Sequence, residues 1–94
     1  MALFSTQVTI PTGGGPVQLS TAQTSVRYIE FQNNATASMR VGAANINTTT
    51  GHNLSASGGA WTISNLGQGG YFAYLSDWYA VGTAGQILDV QYVT

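Results

Sequence analysis

The chain has 94 residues, which is enough for one domain but too few for two hydrophobic cores. Charged residues make up 5% of it, against about 25% in an average soluble domain. Two arginines and no lysine cannot neutralise the run of phosphates that nucleic-acid binding requires, and the lack of cysteine excludes disulfides, thiolate metal ligands and a cysteine nucleophile.

The rest of the composition is that of a folded protein with a neutral polar surface. Apolar residues make up 44% and aromatic residues 11% of the chain, and the net charge is -1, whereas disordered chains combine few aromatics with high net charge. Because a net charge near zero gives little repulsion between copies, this composition favours an assembled subunit over an isolated monomer.

Residues 1–11 lack the features of a signal peptide and no stretch approaches the ~18 apolar residues of a membrane span, so we expect no membrane association.

The first strands are predicted near the amino terminus. Residues 3–10 form the first candidate strand, in which Val8 and Ile10 alternate with Thr9 before Pro11, and the glycines at 13–15 indicate a turn. Residues 16–19 are predicted to form a short strand at a sheet edge, where a proline costs no ladder hydrogen bond. We expect residues 1–15 to supply an amino-terminal strand or arm that pairs with a neighbouring subunit.

The clearest strand is predicted at Val26–Gln32, where β-branched and aromatic residues dominate. Ile29 and Phe31 share a face, which we expect to point inward. The Asn-rich residues 33–36 have turn chemistry, because asparagine tolerates the left-handed region and bonds its own backbone. Residues 38–42 then return as a strand, so the pattern predicts a hairpin between the two.

The second half of the chain alternates short strands with glycine-containing turns. Residues 43–57 are predicted to be a long loop with one short strand near Leu54, and residues 67–70 a turn. Further strands are predicted at residues 60–63, 71–75, 78–82 and 86–93. We therefore expect residues 1–94 to form a single all-β domain, a β-sandwich or barrel of jelly-roll type with about eight short antiparallel strands.

Groups able to carry catalysis are few. His52 is the only histidine, in a segment that favours an exposed turn residue over a general base, and the carboxylates are Glu30, Asp77 and Asp89. Folding could bring Glu30 and Asp89 together as the carboxylate pair of a glycosidase, but pairing with an arginine or exposure to solvent is favoured. One histidine and three scattered carboxylates are too few for a zinc site. The sequence predicts no enzyme, no metal site and no cofactor.

Aromatic residues crowd the second half of the chain. Packing in the core explains some of them, because large side chains must fill a small sandwich. The alternation in residues 71–74 places rings on both faces of the predicted strand, so at least one ring is expected to lie away from the core. We predict an interface formed by Tyr71, Phe72, Tyr74 and Trp78.

Three segments carry a resemblance to a known class of proteins. They are residues 27–34 (RYIEFQNN), 39–42 (MRVG) and 78–90 (WYAVGTAGQILDV). Their order resembles that in small virion proteins of tailed bacteriophages. It consists of an apolar strand, an Asn-rich turn, x-Val-Gly, a long loop and Tyr-Ala-Val-Gly-x-x-Gly before a last apolar strand. The resemblance covers roughly residues 26–93.

This resemblance implies an all-β virion component such as a capsid cement or decoration protein. Such proteins are often trimers that sit over junctions between capsid subunits. The implied partners are the major capsid protein or other virion subunits and further copies of the chain, and the implied location is the virion, after synthesis in the host cytoplasm. The resemblance carries no catalytic residue across.

A carbohydrate-binding or receptor-binding β-sandwich module, as in a tail or head-fibre component, is the alternative. It would use exposed tryptophan and tyrosine rings with asparagine and glutamine hydrogen bonds. A flat aromatic patch matched by another subunit would indicate assembly, whereas rings open to solvent would indicate sugar binding.

Overall fold

The computed structural model describes residues 2–64, 66 and 73–94. The strands are β1 (Leu3–Thr9), β2 (Val17–Gln18), β3 (Tyr28–Asn33), β4 (Met39–Gly42), β5 (His52–Leu54), β6 (Gly59–Ile63), β7 (Tyr79–Val81) and β8 (Ile87–Val93). A 3₁₀ turn (Leu75–Asp77) precedes β7, and these ranges contain no α-helix. None of the described helical structure is long and apolar enough to cross a bilayer.

The strands form two four-stranded sheets, and every pair of neighbours is antiparallel. Sheet A has the order β1-β8-β3-β6, and sheet B has the order β2-β7-β4-β5. The radius of gyration is 12.5 Å, close to the value of about 12 Å expected for a folded chain of this length. The prediction of an all-β fold with about eight antiparallel strands is confirmed.

The core lies between the sheets and follows from the alternation of side chains along the strands. In sheet A, β3 buries Ile29 and Phe31, and β8 buries Leu88 and Val90. In sheet B the buried side chains come mainly from β4 and β7. The prediction that Ile29 and Phe31 point inward is confirmed, since both are 0% exposed.

The predicted hairpin between β3 and β4 is wrong, because the two strands belong to different sheets. The turn chemistry is present: Asn33 Oδ1 accepts a hydrogen bond from the Ala35 N–H at 2.9 Å. However, Asn33 Nδ2 also donates to the carbonyl of Leu54 at 3.0 Å, at the end of β5. These bonds fix the chain where it leaves sheet A for sheet B, so the turn changes sheets.

The strand predicted at residues 71–75 is not formed in its described part, and Tyr71 and Phe72 lie outside the described residues. Tyr74 makes an isolated bridge with Ser25, and Leu75 begins the 3₁₀ turn. The Asp77 carboxylate accepts a hydrogen bond from the Tyr74 N–H at 3.0 Å, which satisfies a backbone group that a strand would have paired. The turn predicted at residues 67–70 also lies outside the described residues.

The glycine run between β1 and β2 is a turn, as predicted. Gly13, Gly14 and Gly15 all have positive φ, which side-chain-bearing residues rarely adopt. A Cβ on Gly14 would lie 2.7 Å from the carbonyl oxygen of Gly82, in the loop after β7. This close backbone contact joins the turn to the loop after β7 and requires glycine at position 14.

The predicted loop after β4 and its short strand are also present. Arg40 holds this loop in place, because Nη1 donates to the carbonyl of Gly51 at 2.8 Å and Nε donates to the carbonyl of Thr48 at 3.1 Å. Ile46 is buried beneath the loop. Arg40 thus binds carbonyls of its own loop.

Candidate functional site

Two of the four predicted interface residues, Tyr74 and Trp78, are in the described part of the chain, and both are half-buried. Tyr74 lies immediately before the 3₁₀ turn and Trp78 immediately after it. The short turn therefore positions both rings.

Trp78 belongs to an aromatic cluster between the two sheets. Its ring centroid lies 5.5 Å from that of Phe31 and 5.7 Å from that of Trp61, which in turn stacks on His52 at 4.2 Å. His52 is exposed, as predicted, but lies in β5 rather than in a turn. The stack of His52 on Trp61 joins the edge strands of the two sheets, β5 and β6.

The cluster assigns much of Trp78 to the core. Phe31 is fully buried, and the indole of Trp78 packs against it. The Trp78 Nε1 atom is buried and has no acceptor among the described residues, although buried indole N–H groups usually have one. Core packing, the alternative weighed from the sequence, therefore accounts for a large part of this ring.

The outer edge of β1 presents a row of backbone groups that no strand in the described part of the chain pairs with. Hydrogen bonds from Ile10 N–H to Gln86 O (2.8 Å) and from Thr94 N–H to Ala2 O (3.0 Å) show that even-numbered residues bond to β8. Along an antiparallel strand, the backbone groups of successive residues point alternately toward and away from a given neighbouring strand. The N–H and C=O groups of residues 3, 5, 7 and 9 therefore point away from β8, to a side where no described strand pairs with them.

The exposed large apolar side chains of the described residues lie beside this edge. Leu3 is 65% exposed and Phe4 45% exposed, both on β1, and Ile87 is 43% exposed on β8 directly opposite Thr9. Phe4 stacks on Tyr92 at 5.3 Å. Leu3 and Ile87 lie on the outer face of sheet A, whereas Phe4 lies on the inner face, where β2, at the corresponding edge of sheet B, has only two residues and covers little of β1.

Sequence reasoning identified β1 as a strand but did not identify its exposed side chains. The available signals were the absence of charge in residues 3–9 and the interruption after them by Pro11 and three glycines. A long uncharged strand followed by a break is typical of a sheet edge that pairs with another chain.

A polar groove crosses the outer face of sheet A beside this edge. It has a volume of about 500 Å³ and is lined mainly by amide, hydroxyl and carboxylate side chains, including Gln7, Gln32, Asp89 and Gln91. Gln7 Nε2 donates to Asp89 Oδ1 at 2.8 Å, and Asn34 Nδ2 donates to Asp89 Oδ2 at 2.9 Å. Both oxygens of Asp89 are therefore fixed by amides.

The two carboxylates considered for a glycosidase pair lie on the same face of adjacent strands. Glu30 is opposite Gln91, two residues from Asp89, so the two residues are diagonal neighbours, at a typical separation of about 7–8 Å. Glu30 is within 3.4 Å of the hydroxyl of Tyr28, whereas the bonds to Asp89 come from other residues. This arrangement favours separate structural roles. The described residues contain no group of three or more His, Asp or Glu that could hold a metal.

Comparison with protein-family models, with curated proteins and with solved structures finds no match to the chain.

Proposed function

We propose that the protein is a virion structural subunit of the capsid cement or decoration type, which binds and stabilises assembled capsid subunits. The observation that supports this most is the outer edge of β1, a seven-residue uncharged strand with unpaired backbone groups and with Leu3 and Phe4 exposed beside it. Such an edge exposes apolar surface and favours strand pairing, so it suits a protein that functions in an assembly.

Two kinds of contact would hold the subunit in place. The edge of β1 pairs with a neighbouring subunit through main-chain hydrogen bonds, as in other cases of strand addition. The rings predicted from the sequence to form an interface, Tyr71, Phe72 and Tyr74, together with the exposed part of Trp78, anchor the subunit to the shell, where the partners are the major capsid protein or other virion subunits. A net charge of -1 adds little repulsion to either contact.

The sheet order also supports a jelly-roll type of sandwich. Strands β1 to β4 are each paired with β8, β7, β6 and β5 respectively, the pattern obtained when one long hairpin is wound around itself. Jelly rolls occur in viral capsid proteins and in lectins. The topology is therefore compatible with the virion proposal and with its alternative, and the choice between them depends on the surfaces.

Binding to shells tests the cement function. The protein is expected to bind assembled, expanded shells far better than isolated coat protein, because a junction between subunits exists only in the shell and several weak contacts act together there. Shells that carry the protein are expected to resist heat better, since binding and stability are linked. Equal binding to isolated coat protein and to shells, with no stabilisation, would contradict the proposal.

The anchor residues are tested by substitution. Tyr74→Ala is expected to weaken attachment to shells about 30-fold, the effect of losing an interface anchor worth about 2 kcal/mol. Tyr28→Ala is the matched control, since Tyr28 is also half-buried but lies on sheet A. Equal attachment of the two variants, measured by co-sedimentation with shells, would show that Tyr74 is not an anchor.

The polar groove favours the carbohydrate-binding alternative. Its amides and the Asp89 carboxylate supply the donors and acceptors that sugar hydroxyls require. However, none of the residues that line it has an aromatic ring for stacking on a sugar. This alternative would be favoured if the protein bound tightly to a glycan array and a Gln32→Ala variant lost that binding. It would also require that the protein has no effect on the stability of shells.

A further inference from the structure

The sheets have four edge strands, and β1 differs from the other three. β2 has two residues, β5 has three, and β6 has five and is joined to β5 by the stack of His52 on Trp61. β1 has seven residues, contains no proline and no charge, and carries four N–H and four C=O groups on its outer side. It is therefore the described edge best able to accept another strand.

The outward groups of β1 complement those of a second β1. If a two-fold axis passes through Thr6, perpendicular to sheet A, then Ser5 lies opposite Gln7 of the second copy and Leu3 lies opposite Thr9 of the second copy. These are all outward-facing residues, so each N–H meets a C=O across the interface. No other centre on β1 pairs all seven residues.

The same register covers the exposed apolar side chains. On the inner face, the ring of Phe4 lies opposite Val8 of the second copy. On the outer face, Leu3 packs beside Thr9 of the second copy, next to which lies Ile87 of that copy. Leu3 and Ile87 are at opposite ends of the edge, and the two-fold axis is what brings them together.

Charge does not oppose this contact. β1 carries no charged residue, and the nearest carboxylate, Asp89, lies on β8 and is bonded by Gln7 and Asn34. The two Asp89 carboxylates would be separated by two intervening strands, each about 4.8 Å from the next. The row of polar side chains on the outer face would continue across the joined sheets.

We propose that the neighbour paired with β1 is a second copy of this chain, so that two sheets A form one continuous eight-stranded sheet; this inference rests on the proposed function as a subunit-binding protein. Because the same strand is used by both copies, the contact is isologous and closes at two copies. The geometry therefore favours a dimer over the trimer that the resemblance implies.

A single introduced cysteine tests the register, since the chain has none of its own. In the proposed register the two Thr6 residues face each other in a non-hydrogen-bonded pair with Cα atoms about 4.5 Å apart, within the range of a disulfide. Thr6→Cys is therefore expected to give a disulfide-linked dimer under mild oxidation. Thr9→Cys is the control, because the two Thr9 residues would be about 20 Å apart. Equal cross-linking of both variants would overturn the register.

The mass in solution, measured by light scattering and sedimentation, tests the dimer itself. The double variant Ser5→Lys, Gln7→Lys places lysines opposite each other across the interface and is expected to be monomeric. The control Ala60→Lys, Thr62→Lys adds the same charge to exposed positions on β6 and is expected to remain dimeric.

Three outcomes separate this inference from the proposed function. A monomer or trimer of the unmodified chain would overturn the dimer, even if that species binds and stabilises shells. A dimer that cross-links through Thr6→Cys but leaves shells unaffected would support the dimer and contradict the cement function. Loss of the dimer in both lysine variants would show that added charge, rather than the edge of β1, controls association.

Discussion

Replacing Asn33 by alanine should destabilise the fold at the connection between sheet A and sheet B. Asn33 is the buried polar side chain at the end of β3, 0% exposed. Its amide donates to the carbonyls of Ala37 at 2.9 Å, Leu54 at 3.0 Å and Ser55 at 3.3 Å, and its oxygen accepts from the Ala35 N–H at 2.9 Å. One side chain thus satisfies four backbone groups on two segments that are far apart in sequence.

The size of the effect follows from the groups that lose their partners. The Leu54 carbonyl bond is buried and the Ala35 N–H bond is partly buried, and each unsatisfied buried group costs about 1–3 kcal/mol. The carbonyls of Ala37 and Ser55 keep a second donor, Gln86 Nε2 and the Gly59 N–H respectively, so they lose less. We expect Asn33→Ala to lower the free energy of unfolding by about 3 kcal/mol and the melting temperature by roughly 12–24 °C.

Denaturant unfolding monitored by tryptophan fluorescence measures this change, since Trp61 and Trp78 lie between the sheets. Asn34→Ala is the matched control, because Asn34 is exposed and makes one bond, to Asp89, so a loss within about 1 kcal/mol is expected. Protein concentration must be held constant, because the proposed association would stabilise the folded chain. Equal unfolding free energies for the two variants would refute the assignment of Asn33 as the link.

Three further outcomes are expected. Phe31→Ala should lower the free energy of unfolding by about 3–5 kcal/mol, because the fully buried ring of Phe31 contacts both tryptophans. Denaturant unfolding followed by tryptophan emission, which should shift to the red, measures this loss. An unchanged midpoint would contradict the packing. Gly14→Ala should lower the melting temperature more than Gly13→Ala, since both have positive φ but only Gly14 meets a carbonyl; equal losses would argue against that contact. The melting temperature should change little between neutrality and mild acid, because one histidine and three carboxylates leave few groups to couple folding to protons; calorimetry showing a steep fall would disprove this.

The positions of most strands could be predicted from the sequence because they depend on local alternation. Leu88 and Val90 are buried in β8 with polar residues between them, and Ile29 and Phe31 repeat the pattern in β3. Such a pattern requires only that one face of the strand meets a core. It contains no information about which strand lies beside which.

The pairing of β3 could not be predicted for that reason. The Asn-rich segment after β3 signals a turn, but a turn within one sheet and a turn between sheets use the same residues. The outcome depends on bonds from Asn33 to residues near position 54, about twenty positions away. The strand expected at residues 71–75 is not formed in its described part, residues 73–75, because Asp77 accepts a hydrogen bond from the Tyr74 N–H locally.

The candidate site could be predicted only in part. Trp78 was expected at an interface, yet its ring packs on Phe31, because residues around the 3₁₀ turn direct it between the sheets. The exposure of Phe4, on the inner face, depends on β2 being only two residues long, and the exposure of Leu3 depends on its place on the outer face of sheet A. An apolar residue in a strand is ordinarily assigned to the core, and the length of the strand facing it is a property of the whole fold.

The pairing of β1 with β8 has a consequence for synthesis on the ribosome. Leu3 lies opposite Val93, so β1, which leaves the exit tunnel before β8, must wait for β8 before it can enter sheet A. Contacts between residues so far apart in sequence slow folding. Until then β1 is an uncharged segment with both edges open, and such nascent strands are prone to aggregate or to engage chaperones. Moving the β1 sequence behind β8 by circular permutation would make the pairing local and should shorten the folding time.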